Sequence, residues 1–194
     1  MPSWRGQRSG VITVLRQLLL LRHAKSSWDD PKLSDHARPL NARGRQAAVA
    51  MRAAMRELGL APDAVLVSSA RRTLQTVEAL APWDDMPLIE PMDALYLAGT
   101  SQLLEVLRGV AETARSVMVV GHNPGLHDLA LSLVGPAAMS QANEMMRRLA
   151  EGFPTGALAE FAIARPWSQL REGEGRLIRF MAPRDLPELT PSRG

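Results

Sequence analysis

Short apolar runs alternate with amphipathic segments along this chain. Runs that are typical of buried strands occupy 18–21, 64–67, 88–90 and 117–120. Between them, apolar residues recur every three or four positions, which predicts helices over about 42–58, 71–80, 100–114, 124–134 and 141–150. Two further strands, 156–164 and 175–181, follow each other across a loop that contains a proline and a glycine. Strands that alternate with helices predict the α/β class: a three-layer α/β/α sandwich whose central sheet is mostly parallel, with an antiparallel edge.

Several predicted helices carry recognisable ends. Asn41 is a candidate N-cap for the helix over 42–58, and Gly59 follows its last residue. Thr100 is a candidate cap for the helix over 100–114. Asn123 and Pro124 form an N-cap and first-residue pair, which predicts a helix that begins directly after a strand.

The bulk composition fits one globular domain. The 194 residues are 46% hydrophobic and 22% charged, and we predict an N-terminal extension over 1–16, a candidate for disorder, and a single domain over 17–194. The net charge is only +3, and the arginines are scattered without interleaved aromatic residues, which argues against a nucleic-acid partner. The chain has no cysteine, which excludes disulfides and a thiolate nucleophile. No apolar stretch reaches the roughly 18 residues of a membrane span, so no membrane contact and a cytoplasmic location are expected.

Cationic side chains follow three of the predicted strands, at the point where each strand ends. Arg22 and His23 follow the run over 18–21, His122 follows the run over 117–120, and an arginine pair at 71–72 follows the run over 64–67. Ligands of open α/β sheets bind at the carboxyl ends of the strands. The sequence therefore predicts a cationic pocket for an anion.

These residue types suit phosphoryl chemistry. A neutral imidazole nitrogen of His23 could attack phosphorus and form a covalent intermediate, and the planar fork of Arg22 could neutralise the phosphoryl oxygens. His122 lies where a helix start would present free backbone amides. The alternative is that each histidine is satisfied by backbone groups or only packs. Spacing alone does not choose between Arg71 and Arg72.

The motifs together resemble the histidine phosphatase superfamily, with the phosphoglycerate-mutase-like fold, from about residue 18 to residue 181. The family's Arg-His-Gly opening corresponds to Arg22-His23-Ala24, its Arg-Pro-Leu-Thr…Gly segment to 38–44, and its Ser-Ser-x-x-Arg-Ala-x-Gln-Thr segment to 68–76. Alanine replaces the usual glycine after the histidine. The short length, Arg-His-Ala-Lys, Leu95-Tyr96, Gly-His-Asn-Pro-Gly and Phe-Pro-Thr-Gly are most similar to the SixA-like phosphohistidine phosphatase branch.

The resemblance implies a role for each residue. His23 is the nucleophile, and Arg22, Arg72 and His122 bind the phosphoryl group, because the family register selects Arg72 over Arg71. Ser26 and Asn123 complete the predicted substrate-binding residues. No metal and no other cofactor are expected, since the arginines and histidines would neutralise the phosphoryl charge.

One departure from the family bears on the substrate. Many members carry a glutamate as general acid in the segment that corresponds to 92–99, and here that segment has none. Imidazole is a far weaker base than an alkoxide and can depart already protonated, so the missing acid favours a P–N bond. Asp93 could replace the acid, although a turn or capping role suits it better.

We therefore predict a metal-independent phosphatase that acts on a phosphohistidine of a signalling protein, through an open pocket. The alternatives are a phosphatase of small phosphorylated metabolites, a non-catalytic phospho-binding protein and, less favoured, a mutase. His36 is expected to be an exposed loop residue and His127 a packing or surface residue. Packing roles are also expected for the tryptophans at 28, 83 and 167.

Overall fold

The computed structural model describes residues 15–139 and 143–187. These ranges contain six strands and five α-helices. In chain order they are β1 (Arg16–Arg22), α1 (Ala42–Glu57), β2 (Ala64–Ser68), α2 (Arg71–Leu80), β3 (Leu88–Met92), α3 (Thr100–Arg108), β4 (Ser116–Gly121), α4 (Gly125–Met139), α5 (Glu144–Glu151), β5 (Leu158–Ile163) and β6 (Gly175–Met181). No helix in these ranges is long and apolar enough to cross a membrane. The cytoplasmic location stays a prediction.

The strands form one mixed sheet in the order β3-β2-β4-β1-β5-β6. The four strands from β3 to β1 run parallel, whereas β5 pairs antiparallel with both β1 and β6. The predicted α/β class, with a mostly parallel sheet and an antiparallel edge, is therefore confirmed.

Helices cover both faces of the sheet, because its central strands are apolar on both sides. On one face, Leu19 and Leu21 of β1 pack with residues of α1 and α2, including Met51 and Val77. On the other face, Leu18 and Leu20 pack with α3, α4 and α5. Alternate residues of β1 thus enter opposite cores, as the period of a strand requires.

Local signals placed some element ends correctly and others wrongly. The side chain of Asn41 accepts a hydrogen bond from the backbone of Gly44 at 2.8 Å, so the predicted cap of α1 is confirmed. The predicted helix over 100–114 is too long, because α3 ends at Arg108 and the backbone N–H of the next residue, Gly109, turns back to the last carbonyls. Thr100 lies inside the first turn, and the capping position belongs to Gly99.

Two further boundaries differ from the sequence prediction. α4 continues beyond residue 134 to Met139, across a break at Gly135, where φ is +72°. α5 begins at Glu144, where the side chain of Asn143 accepts a hydrogen bond from the backbone of Met146, and residues 141 and 142 of the predicted helix lie outside the described residues. Arg16 belongs to β1, and the rest of the predicted extension lies outside the described residues except for Leu15.

The sheet places the predicted chemistry at one edge. β1 and β4 are neighbours and end in register, with Arg22 opposite Gly121. β2 lies on the other side of β4, and Val67 is opposite Val120. Residues that follow β1, β2 and β4 therefore meet at the carboxyl ends of three adjacent strands.

Candidate active site

The turn after β1 is held by backbone contacts on several sides. The N–H of His23 donates to the carbonyl of Gly121 at 3.1 Å, and the N–H of Gly156 donates to the carbonyls of both Arg22 and His23. The N–H of Ala24 donates to the Thr76 hydroxyl at 3.0 Å. These contacts tie the turn to β4, to α2 and to the chain before β5, so the orientation of His23 is fixed by the tertiary structure.

The helix α1 also rests directly on this turn. A Cβ atom at Gly44 would lie 2.1 Å from the carbonyl oxygen of Lys25, which is backbone and has little room to yield. The N–H of Asn41 donates to the same carbonyl at 3.0 Å. Only a glycine lets α1 approach the His23 turn this closely.

We predict that Gly44→Ala destabilises the protein and lowers its activity. The clash with Lys25 outweighs the roughly 1 kcal/mol of helix propensity that alanine gains, and overpacking typically costs about 1–3 kcal/mol. We expect the free energy of unfolding in urea to fall by about 2 kcal/mol. The matched control is Gly109→Ala, whose Cβ would meet Val106 at 3.4 Å, an ordinary contact. Equal stability of the two variants would contradict the proposed close approach.

His23 presents one ring nitrogen to the pocket. Its Nδ1 lies 2.7 Å from the carbonyl oxygen of Ala24. A carbonyl only accepts, so Nδ1 carries the proton and Nε2 keeps its lone pair. Burial of the ring, together with the nearby charges of Arg72 and Arg22, lowers the pKa of His23 to about 4, although the Ala24 carbonyl acts in the opposite direction. The ring is therefore neutral at pH 7.

His122 lies beside His23 and is also neutral. The two ring centroids are 5.2 Å apart. The guanidinium of Arg72 donates to Nδ1 of His122 at 3.2 Å, which leaves the proton on Nε2 for donation to the Ser68 hydroxyl at 2.7 Å. Burial, followed by the charge of Arg72, lowers the pKa of His122 to about 3.

Arg72 is the centre of a polar network. Its Nη1 donates to the backbone carbonyl of Asp35 at 2.5 Å, and its Nη2 donates to the Asp35 carboxylate at 2.9 Å as well as to His122. The Tyr96 hydroxyl donates to the same carboxylate oxygen, Oδ2, at 2.7 Å. The loop before α1 and the turn after β3 thus orient the guanidinium of Arg72.

Arg22 and Asn123 meet at a single carbonyl. Nη1 of Arg22 donates to the Phe153 oxygen at 2.8 Å, and the side-chain amide of Asn123 donates to the same atom at 3.0 Å. Burial, with the charge of Arg72, lowers the pKa of Arg22, but the group stays cationic. Asn123 does not cap α4 with its side chain as predicted, because its Oδ1 accepts no hydrogen bond within the described residues.

The structure brings all six predicted site residues into one pocket. It has a volume of about 520 Å³, it is open to solvent, and its lining comprises Arg22, His23, Lys25, Ser26, Trp28, Asp35, Arg72, Leu97, His122, Asn123 and Thr155. The pocket holds two guanidiniums, the Asp35 carboxylate and two neutral imidazoles. The net charge of these five groups is positive. Such a pocket suits an oxyanion. Within the described residues, no group of three or more acidic, histidine or cysteine side chains could hold a metal ion.

Comparisons with known proteins agree with this geometry. The sequence profile of the histidine phosphatase superfamily (branch 1) matches residues 18–95. An uncharacterized protein of Mycobacterium tuberculosis is 33% identical over 164 residues, which cover 84% of this chain and 100% of that protein. The chain belongs to the histidine phosphatase superfamily.

Two solved structures show which branch of the superfamily this histidine phosphatase resembles. A candidate phosphohistidine phosphatase SixA from Agrobacterium tumefaciens is 30% identical, with a TM-score of 0.73, and the match covers 87% of this chain and 98% of that one. A candidate SixA from Nakamurella multipartitia is 28% identical, with a TM-score of 0.76, over 87% of this chain and 96% of that one. The SixA-like resemblance and the prediction of a phosphatase are confirmed.

The sequence patterns do not predict two side chains of the histidine phosphatase site, Asp35 and Tyr96. Asp35 lies in the polar loop before α1, and no local pattern tells which side chain of such a loop turns inward. Tyr96 belongs to the Leu95-Tyr96 motif, but the motif alone assigns it no role. Asp93 is exposed, begins a short 3₁₀ turn and does not line the pocket, so the structure favours its turn role.

Other sequence predictions for this histidine phosphatase have mixed outcomes. The prediction that Trp28 packs is wrong: the side chain is 68% exposed at the pocket mouth, with the guanidinium of Arg38 4.0 Å from its ring centre. Trp167 is fully buried, as predicted. His36 is exposed, as expected, and His127 bonds the Leu149 carbonyl at 2.7 Å outside the pocket.

Proposed function

We propose that this protein is a metal-independent phosphatase that works through a covalent phosphohistidine on His23, and that its substrate is a phosphohistidine of a signalling protein. The observation that carries the proposal is the lone pair on His23 Nε2, which is held in an oxyanion pocket by the Nδ1–H bond to Ala24. Arg22 and Arg72 supply two fixed positive charges beside that nitrogen.

In the first half-reaction, Nε2 attacks phosphorus and the bond from phosphorus to the leaving group breaks. The charge on the phosphoryl oxygens is stabilised by the guanidiniums of Arg22 and Arg72, which are already oriented by Phe153 and Asp35. The resemblance implies that His122 binds the phosphoryl group, but both of its ring nitrogens already have partners, Arg72 and Ser68, so its proposed role is to keep Arg72 in place. Ser26 and Asn123 line the same pocket and are the further substrate-binding candidates.

The protonation state of the phosphorylated His23 ring favours hydrolysis of the intermediate. Nδ1 keeps its proton, which it donates to the Ala24 carbonyl. The phosphorylated ring is therefore an imidazolium. When water attacks phosphorus, the P–N bond breaks and His23 leaves as a neutral imidazole that needs no acid. When the substrate is a phosphohistidine with a protonated ring, its imidazole likewise leaves as a neutral group during the first half-reaction.

Two observations support a protein substrate. The solved structures of the SixA candidates bear the name phosphohistidine phosphatase. The pocket mouth is open and carries two exposed apolar side chains, Trp28 at 68% and Leu97 at 55% exposure, which suit contact with a polypeptide surface. Phosphatases of small phosphorylated metabolites remain the enzymatic alternative.

The test is a comparison of kcat/KM for a phosphorylated histidine phosphotransfer domain, acetyl phosphate and glucose 6-phosphate. The proposal expects the phosphohistidine protein to be hydrolysed fastest, with inhibition by vanadate. Faster hydrolysis of glucose 6-phosphate would overturn the substrate class. Tight phosphate binding without hydrolysis of any of the three would identify a non-catalytic phospho-binding protein instead.

We predict that phosphoryl transfer to His23 persists in mild acid. With its pKa lowered to about 4, about nine tenths of His23 stays neutral at pH 5. An ordinary histidine with a pKa of 6.5 would be almost fully protonated there. Pre-steady-state transfer from phosphoramidate, corrected for the titration of that compound, measures the effect. A loss of rate with a midpoint near 6.5 would contradict the buried, neutral nucleophile.

The same pKa shift makes the fold less stable in acid. Below pH 6.5 the unfolded chain protonates His23 and His122, whereas the folded protein does so only near pH 4 and pH 3. The free energy of unfolding therefore falls as the pH drops from 6.5 toward 4. The urea midpoint of His23→Ala should show a smaller fall than that of the wild type over this window.

A further inference from the structure

We infer that Asp35 is the general base of the second half-reaction, and that its carboxylate accepts the proton of the water that attacks phosphorus on His23. The inference rests on the proposed function, because it concerns the hydrolysis of the intermediate on His23. It assigns a catalytic role to a side chain of the polar loop before α1, where no sequence motif marks a catalytic residue.

Asp35 is placed in the pocket by contacts that leave one of its oxygens available. Among the described residues it is the one acidic side chain of the pocket lining. Arg72 and Tyr96 both donate to Oδ2, at 2.9 and 2.7 Å. Within the described ranges Oδ1 has no such partner, and the Asp35 side chain is 48% exposed. The carboxylate is therefore held by one oxygen while the other can reach a water molecule.

The group is also in the correct protonation state. Desolvation alone would raise the pKa of Asp35, but the hydrogen bonds from Tyr96 and Arg72 outweigh it and lower the pKa. Asp35 is thus ionised in the free enzyme. A phosphoryl group on His23 adds negative charge near the carboxylate, and its oxygens compete with Asp35 for the N–H groups of Arg72. Both effects raise the proton affinity of the carboxylate in the phosphoenzyme, where the base acts.

The proposed step balances without another reactant. The water oxygen forms a bond to phosphorus, the P–N bond breaks, and its electron pair returns to Nε2 of His23. One proton of the water passes to Oδ1 of Asp35. The products are hydrogen phosphate, neutral His23 and protonated Asp35, which then releases its proton to solvent through its exposed side.

The other titratable groups near Arg72 are less suitable as the general base. Both ring nitrogens of His122 are engaged, one by Arg72 and one by Ser68. The Tyr96 hydroxyl donates to Asp35, and burial together with that carboxylate raises the pKa of Tyr96, so its proton stays in place. Asp35 is the group that is both ionised and accessible.

The experiment separates the two half-reactions in Asp35→Asn, with phosphoramidate as the phosphoryl donor and alkaline quenching to preserve phosphohistidine. Formation of the phosphoenzyme should stay within about threefold of the wild type, because an asparagine can still accept from Arg72 and Tyr96. Its decay should slow by about 100-fold, so phosphorylated His23 accumulates. Asp93→Asn, an exposed carboxylate outside the pocket, is the matched control and should behave as the wild type.

Formate provides a second, independent readout. It should restore the decay rate in Asp35→Ala, since a small carboxylate can occupy the vacated position, and it should not act on the wild type. Equal slowing of formation and decay, or unchanged decay in Asp35→Asn, would overturn the inference and leave Asp35 as a positioning residue for Arg72. A wild type that forms no phosphoenzyme would instead refute the proposed function itself.

Discussion

Replacing His23 by alanine is expected to remove turnover, with a loss of at least about 10⁴-fold in kcat. The substitution deletes the nitrogen that forms the covalent bond and leaves the two guanidiniums, which bind the phosphoryl group without providing a route for the reaction. The measurement is steady-state release of phosphate from phosphoramidate, together with the dissociation constant of vanadate or phosphate. Binding of the anion should persist while turnover disappears.

His127→Gln is the matched control for this substitution. His127 lies outside the pocket, and glutamine can still donate to the Leu149 carbonyl. Its activity should equal that of the wild type. Residual activity of His23→Ala within tenfold of the wild type, in a variant that melts normally, would exclude covalent catalysis by this residue.

Replacing Arg72 by lysine is expected to lower kcat/KM by about 100- to 1,000-fold. The planar fork of Arg72 contacts Asp35 at two atoms and His122 at a third, and a single ammonium group cannot reproduce this arrangement. The charge is conserved, so the loss reports orientation of the donor rather than its charge. The affinity for phosphate should fall together with kcat, since both depend on the same donors.

The neighbouring arginine provides a control within the same helix. Arg71 is exposed at the first residue of α2, whereas the side chain of Arg72 is 5% exposed. Arg71→Lys should therefore leave kcat/KM within about twofold of the wild type, the range expected for a surface substitution. A larger loss in Arg71→Lys than in Arg72→Lys would reverse the assignment of the phosphoryl-binding arginine.

The sheet and the positions of the cationic residues could be predicted from the sequence for a physical reason. Buried parallel strands are nearly continuous apolar runs, so the residue where each run stops is marked in the sequence. Arg22, His23 and His122 stand at such points. Parallel strands also bring these ends to one edge, which predicts a shared pocket before any coordinates are known.

Features that depend on tertiary contacts could not be predicted. The sequence does not show that Asp35 turns toward Arg72, because a polar loop has no periodicity. Asn123 is a residue type that often caps helices, but its side-chain oxygen accepts no hydrogen bond within the described residues, and its amide donates to the Phe153 carbonyl. Trp28 is apolar enough for a core, yet it lies on the surface, where the Arg38 guanidinium is 4.0 Å from its ring centre.

A crystal structure of the wild-type protein with vanadate tests covalent catalysis by His23. A nucleophilic His23 should form a bond from Nε2 to vanadium, with the equatorial oxygens held by Arg22 and Arg72 and the ring of His122 beside them. Vanadate bound away from His23, or a His23 whose Nε2 is occupied by a protein donor, would contradict it.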